Sequence, residues 1–174
     1  MENPRGIPQA PFFEDVASFV TESREPPKDL LVKFKEMFSK YRFMDAHTAQ
    51  RETTLLAKEA EINKSIQVLN HIVARKEAKE DAEIVFELNE TLYARGEISH
   101  TEEKAYIWLG ANVMVEYPIQ EALEMLQEKS ISCQKILKTI KEDKNFLREQ
   151  ITALEINIAR LHNYIVQVQK PAAK

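Results

Sequence analysis

Two long stretches of this chain contain neither proline nor glycine: Lys28 to Lys79 and Ile119 to Gln169. Both residue types interrupt helices, proline by lacking an N–H and glycine by its conformational cost. Free of both, the stretches predict helices of about 78 Å and about 75 Å at 1.5 Å per residue. Pro118 precedes the second and Pro171 follows it. Near-equal helices joined by a short middle region predict an antiparallel pair.

The second stretch carries a regular seam. Steps of four and three residues from Ile119 reach Leu123, Leu126, Ser130, Cys133, Leu137, Ile140, Lys144, Leu147, Ile151, Leu154, Ile158, Leu161, Ile165 and Val168. Only Ser130 and Lys144 are not apolar, so the pattern is that of a coiled coil. The first stretch starts a seam with Phe34, Phe38 and Tyr41 and resumes it with Leu55, Ile62, Ile66, Leu69 and Val73. Asp45, Thr48, Glu52 and Glu59 interrupt it, and Asp45, Glu52 and Glu59 read as solvated or weak-seam positions. Folded as a hairpin, the helices set Phe34 opposite Ile165, Phe38 opposite Leu161, Ile62 opposite Leu137 and Val73 opposite Leu126.

Composition narrows the function. At 174 residues one domain is expected. Charged residues make up 30% and glycine occurs three times, which suits long helices more than an enzyme with many tight loops. A net charge of −4 without a dense basic run argues against nucleic acid. Cys133 is the single cysteine, so an internal disulfide is excluded, and its seam position reads as a buried structural thiol. No apolar run has membrane-spanning length, and MENPRGIPQAPFF has neither the basic start nor the apolar run of a signal peptide. A soluble cytoplasmic protein is expected.

No chemistry-bearing motif stands out. His47, His71, His100 and His162 are scattered, with no HxxxH or CxxC spacing. Neither GxxxxGK[ST] nor GxGxxG occurs. The reading is therefore no enzyme, no metal and no cofactor.

Between the helices the character changes. EIVFELNETLYARGEI and KAYIWLGANVMVEYP each read as two short strands, alternating through Ile84, Phe86 and Leu88, then Leu92, Ala94 and Ile98, then Ala105, Ile107 and Leu109, then Val113, Val115 and Tyr117. Asn89-Glu90 and Gly110-Ala111 sit at the expected turns, and Gly96 within a strand reads as the mark of a bulge. Trp108 reads as barrel core. The fold class is α+β, mainly α. Residues 1–27 form an irregular arm with five of the seven prolines, 28–79 and 119–169 the helices, 80–118 the hairpins and 170–174 a tail. Within the arm, Phe12 to Val20 has room for one or two amphipathic turns. It is either a loose tail or a segment that docks on a neighbouring subunit or on the helices.

A two-helix seam encloses no core, and isolated hairpins are marginal in water and leave open edges. The hairpins therefore read as an assembly module, carried by Ile84, Phe86, Leu88, Leu92, Ile107, Trp108, Leu109, Gly110, Val113, Val115 and Tyr117.

The order helix, two hairpins, helix resembles an α-class prefoldin subunit. RGIPQAPFFEDVASFV, KYRFMD, WLGANVMVEYPIQEALEML and DKNFLREQITALEINIARLHNY resemble the eukaryotic subunit-3 type, over roughly residues 5 to 166. Leu161-His162-Asn163-Tyr164 departs from a Tyr-Asn-Trp cluster of the family, and the basic tail is short. The resemblance implies a hetero-hexamer of two α-class and four β-class subunits, joined through hairpins into a β-barrel platform. It implies ATP-independent capture of unfolded actin and tubulin and their transfer to the cytosolic group II chaperonin, with no nucleic acid and no membrane among the partners. Frayed coiled-coil ends would then expose Leu30, Leu31, Phe34, Phe38, Leu161, Ile165 and Val168 to clients. The same residues also serve as seam core on the plainer reading. A structural adaptor bound through its hairpins to one fixed partner is the alternative function.

Overall fold

The computed structural model describes residues 3–169. In chain order it holds α1 (Val16–Ser23), α2 (Pro27–Ala78), β1 (Ala82–Asn89), β2 (Leu92–Ile98), β3 (Lys104–Gly110), β4 (Val113–Pro118) and α3 (Ile119–Gln169). It divides into two compact units. One joins the residues up to Thr54 with those from Leu137 onward, and the other is Leu55–Ile136.

The helix ends follow local chemistry. Pro27 stands at the first position of α2, where its missing N–H costs nothing. At the far end Lys79 takes a left-handed φ of 57°. Its N–H bonds the Lys76 carbonyl and the Glu80 N–H bonds the Arg75 carbonyl. This pair of reversed bonds caps the last turn, here on a lysine where glycine is usual. Asp15 caps α1, accepting from the backbone N–H groups of Ala17 and Ser18. Those bonds and the Ser18 hydroxyl hold its carboxyl below the usual carboxylate range, the hydroxyl most strongly.

In the first unit α2 and α3 pack antiparallel around Leu30, Phe34, Tyr41, Leu147, Ile151, Leu154 and Leu161. The N-terminal arm closes this core. Ala10 and Phe13 are buried in it, and Ile7, Val16, Phe19 and Val20 pack alongside. The Phe13 ring stacks on Phe19 with centroids 4.4 Å apart and meets Phe34 edge-on at 5.8 Å. The arm is therefore a docked third element on the helices, one of the two fates the sequence left open.

In the second unit Leu69, Ile119, Ala122, Leu123 and Leu126 form the core, with Ile62, Ile66, Ile72 and Val73 beside them. Ala105, Ile107 and Tyr117 of the second hairpin pack on it. Cys133 is buried, and its thiol donates to the Leu55 carbonyl at 3.6 Å.

Polar seam positions set the register. Lys144 pairs with Glu52 at 2.5 Å, and the Ser130 hydroxyl meets Asn63 Oδ1 at 3.1 Å. The expected register would have set Glu52 against Leu147 and Asn63 against Ile136, so the observed pairing differs by about one turn at the first and nearly two at the second. Periodicity treats polar seam residues as blanks, whereas here Lys144 and Glu52 pair with each other and Ser130 meets Asn63. Glu52 is accordingly not a solvated interruption.

The strands form two separate two-stranded antiparallel sheets, β1 with β2 and β3 with β4. The turns sit at Glu90-Thr91 and Ala111-Asn112, one residue later than expected. Ala111 and Asn112 have φ of 49° and 61°, as a type I′ turn requires. Gly96 marks no bulge; the irregularity of this hairpin lies between Glu87 and Asn89. A Cβ at Gly96 would stand 3.3 Å from Phe86 Cε1 and 3.4 Å from Ile84 Cγ1, so glycine leaves room for those two side chains.

Candidate functional site

The site residues expected from the sequence fall on two surfaces. The first is the hairpin module of the second unit. β3 alternates from Lys104 to Trp108 and β4 from Met114 to Pro118. Ile107 lies opposite Val115 and Ala105 opposite Tyr117, all half-buried toward the helices. Trp108 lies opposite Met114 on the outer face, where Trp108 is 55% exposed. Leu109 and Val113 are exposed and Gly110 is half-buried. Ile107 and Tyr117 thus anchor the hairpin with Val115 half-buried on the same face, Trp108 faces away, and Leu109 and Val113 are exposed near its tip. In the single chain Trp108 stands on the surface of the hairpin.

The outer face also carries a charged set. Lys104 approaches Glu116 at 2.6 Å, and the Tyr106 hydroxyl donates to Glu116 at 2.8 Å. The lysine first, then the phenol, hold the Glu116 carboxyl below its ordinary range. The same carboxylate pushes the Tyr106 phenol up.

The first hairpin has less cover. Only Ala82 of β1 is buried, and Ile84, Phe86, Leu88 and Leu92 are all exposed. The β2–β3 linker is tied to its base: the His100 backbone N–H and its Nδ1 meet Asp81 Oδ1 at 2.8 and 2.7 Å. The backbone bond first, then the ring, hold the Asp81 carboxyl below its usual range. A groove of about 730 Å³ runs between α2 and β3, floored by Ile62, Leu69 and Leu126 and rimmed by Lys58, Lys64 and Lys129.

The second surface lies where α2 begins and α3 ends. The predicted client residues separate by environment. Leu30, Phe34 and Leu161 are buried beneath the arm, Leu31, Phe38 and Ile165 are half-buried, and Val168 is 65% exposed. Phe38 lines a shallow groove with Ile158, Ala159 and His162. The open apolar surface is thus smaller than a frayed seam would offer, because Phe13 and Phe19 fill part of it.

Sequence reasoning missed the residues that hold the arm. Asn3 and Arg5 bond Asp143 at 2.8 and 2.6 Å, and Arg5 also reaches Glu142 at 3.2 Å. The Tyr41 hydroxyl donates to the Pro8 carbonyl at 2.6 Å, and Gln150 Oε1 accepts the Ala10 N–H at 2.9 Å. Asn157 Nδ2 donates to the Pro11 carbonyl at 2.6 Å, and Arg160 donates to the Phe13 carbonyl at 2.7 Å while covering the Phe12 ring. Burial pushes the Tyr41 phenol up. Asp143, Gln150 and Asn157 recur every seven residues, a polar stripe beside the apolar seam that was visible in the sequence.

Among the described residues no group of three or more His, Cys, Asp and Glu is placed to hold a metal, and no helix is long and apolar enough to cross a membrane.

This arrangement has known counterparts. The family described as Prefoldin subunit matches residues 41–164. Prefoldin subunit 3 of Elsinoe fawcettii is 44% identical over 94% of this chain and 82% of its own length. The probable prefoldin subunit 3 of Schizosaccharomyces pombe is 41% identical over 97% and 95%, and prefoldin subunit 3 of Homo sapiens 37% identical over 93% and 82%. A chain of the filamentous PFD of Methanocaldococcus jannaschii, solved by cryo-EM, shares the fold with a TM-score of 0.55, at 15% identity over 71% of this chain and 98% of that one. With two paired helices, two intervening hairpins and this degree of shared sequence, the chain belongs to the prefoldin family.

Proposed function

We propose that the chain assembles with other prefoldin subunits through its hairpins and captures non-native polypeptides, actin and tubulin among them, for delivery to the group II chaperonin in the cytoplasm. The observation that carries this reading is the pair of two-stranded sheets with apolar outer residues, Phe86 and Trp108 among them, left exposed. Open sheet edges invite strands from other chains. In the hexamer the family suggests, several helix ends would act on one client. Each exposed large side chain contributes about 1.5–3 kcal/mol when buried, and multivalency raises weak single contacts to useful affinity. Neither step calls for a nucleotide.

The test is aggregation of chemically unfolded actin, followed by light scattering, in the presence of the assembled complex. Suppression is expected, weakened by Phe38→Ser combined with Val168→Ser. Val168 is exposed and Phe38 is half-buried at the wall of a groove, whereas Phe34 lies in the core and its replacement would confound binding with unfolding. An intact complex that leaves aggregation unchanged overturns client capture and favours a fixed structural adaptor.

A further inference from the structure

Besides the burial of Ala10 and Phe13, the arm is held by a row of bonds to its main chain. Tyr41 of α2, then Gln150, Asn157 and Arg160 in order along α3, bond backbone atoms of Pro8, Ala10, Pro11 and Phe13. Such a row reads the path of an extended segment rather than its sequence, which enters through Ala10 and Phe13 in the core and the Phe12 ring under Arg160.

Asn157 is the informative member. Its side chain is fully buried, and Oδ1 has no hydrogen-bond partner. A side-chain amide has one donating and one accepting end. In extended backbone the C=O and N–H of one residue point the same way, so one amide can bond both. The resident residue here is Pro11, whose C=O is bonded and whose nitrogen carries no hydrogen. The buried acceptor is therefore left empty by the arm's own sequence, and most other residues would fill it.

We propose that this row is an exchangeable peptide site, occupied at rest by residues 8–13 and taken by extended segments of non-native polypeptide that displace the arm. The proposal rests on the client-capture reading and gives it a location. Proline at position 11 makes the resident a weaker occupant than a generic chain. The outermost hold on the arm is the Arg5 contact with Asp143 and Glu142, a partly exposed ion pair that releases more easily than the buried contacts. Capture at this site is thus a competition between the arm and the client.

The experiment uses the full chain assembled with its prefoldin partners and two fluorescein-labelled peptides, residues 3–20 as they stand and the same with Pro11→Ala, read by polarisation. The Pro11→Ala peptide is expected to bind about tenfold more tightly, the worth of one buried hydrogen bond. Arg5→Glu in the chain, which loosens the arm without touching the apolar core, is expected to tighten both peptides about threefold by freeing the site. Asn157→Leu in the chain should abolish the preference between the peptides. Reduced, carboxymethylated α-lactalbumin should displace either one. Equal affinities for the two peptides overturn the proposal. So does unchanged peptide binding by Arg5→Glu when hydrogen exchange shows the arm released. Peptide that an unfolded protein fails to displace, while aggregation is still suppressed, removes this site but leaves client capture standing. Loss of suppression in every form removes client capture itself, and with it the role given to the site.

Discussion

Lys144 and Glu52, each a charged break in its own apolar seam, meet at 2.5 Å, with side chains only 29% and 26% exposed. Removing one partner leaves the other charge partly desolvated. Lys144→Met should cost about 1–2 kcal/mol in urea unfolding, and adding Glu52→Met should restore most of it. A double variant as unstable as the single one would show that the pair does not couple.

Ala111 holds a φ of 49° at the first turn position between β3 and β4. A Cβ is unfavourable there, and glycine carries no such penalty. Ala111→Gly should raise stability by about 0.5–1 kcal/mol, visible as a higher thermal midpoint, after allowing for the extra freedom of the unfolded chain. A lower midpoint would contradict the turn type.

Asp81 has its carboxyl held low by the His100 backbone N–H and then the His100 ring. Its pKa is lower folded than unfolded, so its contribution is fully present above the unfolded value and fades as pH falls through the folded one. Hydrogen exchange of the His100 amide should accelerate relative to neighbouring amides only below the ordinary aspartate range. Asp81→Ala should remove that pH dependence. An amide with the same protection throughout acid titration would refute the tie.

Trp108 and Val115 lie on opposite faces of one hairpin, Trp108 outward and Val115 toward the helices. Trp108→Asp should leave the helical circular dichroism and thermal midpoint of the isolated chain near the parent's while abolishing assembly on size-exclusion chromatography. Val115→Asp should lose assembly and lower the midpoint as well. Complexes of unchanged size with Trp108→Asp would separate this face from assembly.

The long helices were legible because a seam of thirteen apolar positions repeats through α3, and periodicity survives without knowledge of partners. The strands were legible from alternation, but their turns were not placed. The expected turn pair is Gly110-Ala111, whereas Ala111 and Asn112 occupy the two central left-handed positions and Gly110, also at positive φ, closes the strand. Gly96 was legible as unusual, but its reason, the Phe86 ring across the hairpin, depends on pairing. The arm was the least legible element. Its contacts run from Gln150 and Asn157 to main-chain atoms of Ala10 and Pro11, about 140 positions away, and main-chain atoms leave no mark in a residue pattern.

The chain contains one indole, and it stands on the outward face of the second hairpin. Nature has thereby fitted the molecule with an intrinsic optical gauge: any strand that settles over that face must change the colour of a single fluorophore, so that association can be followed without attaching a dye.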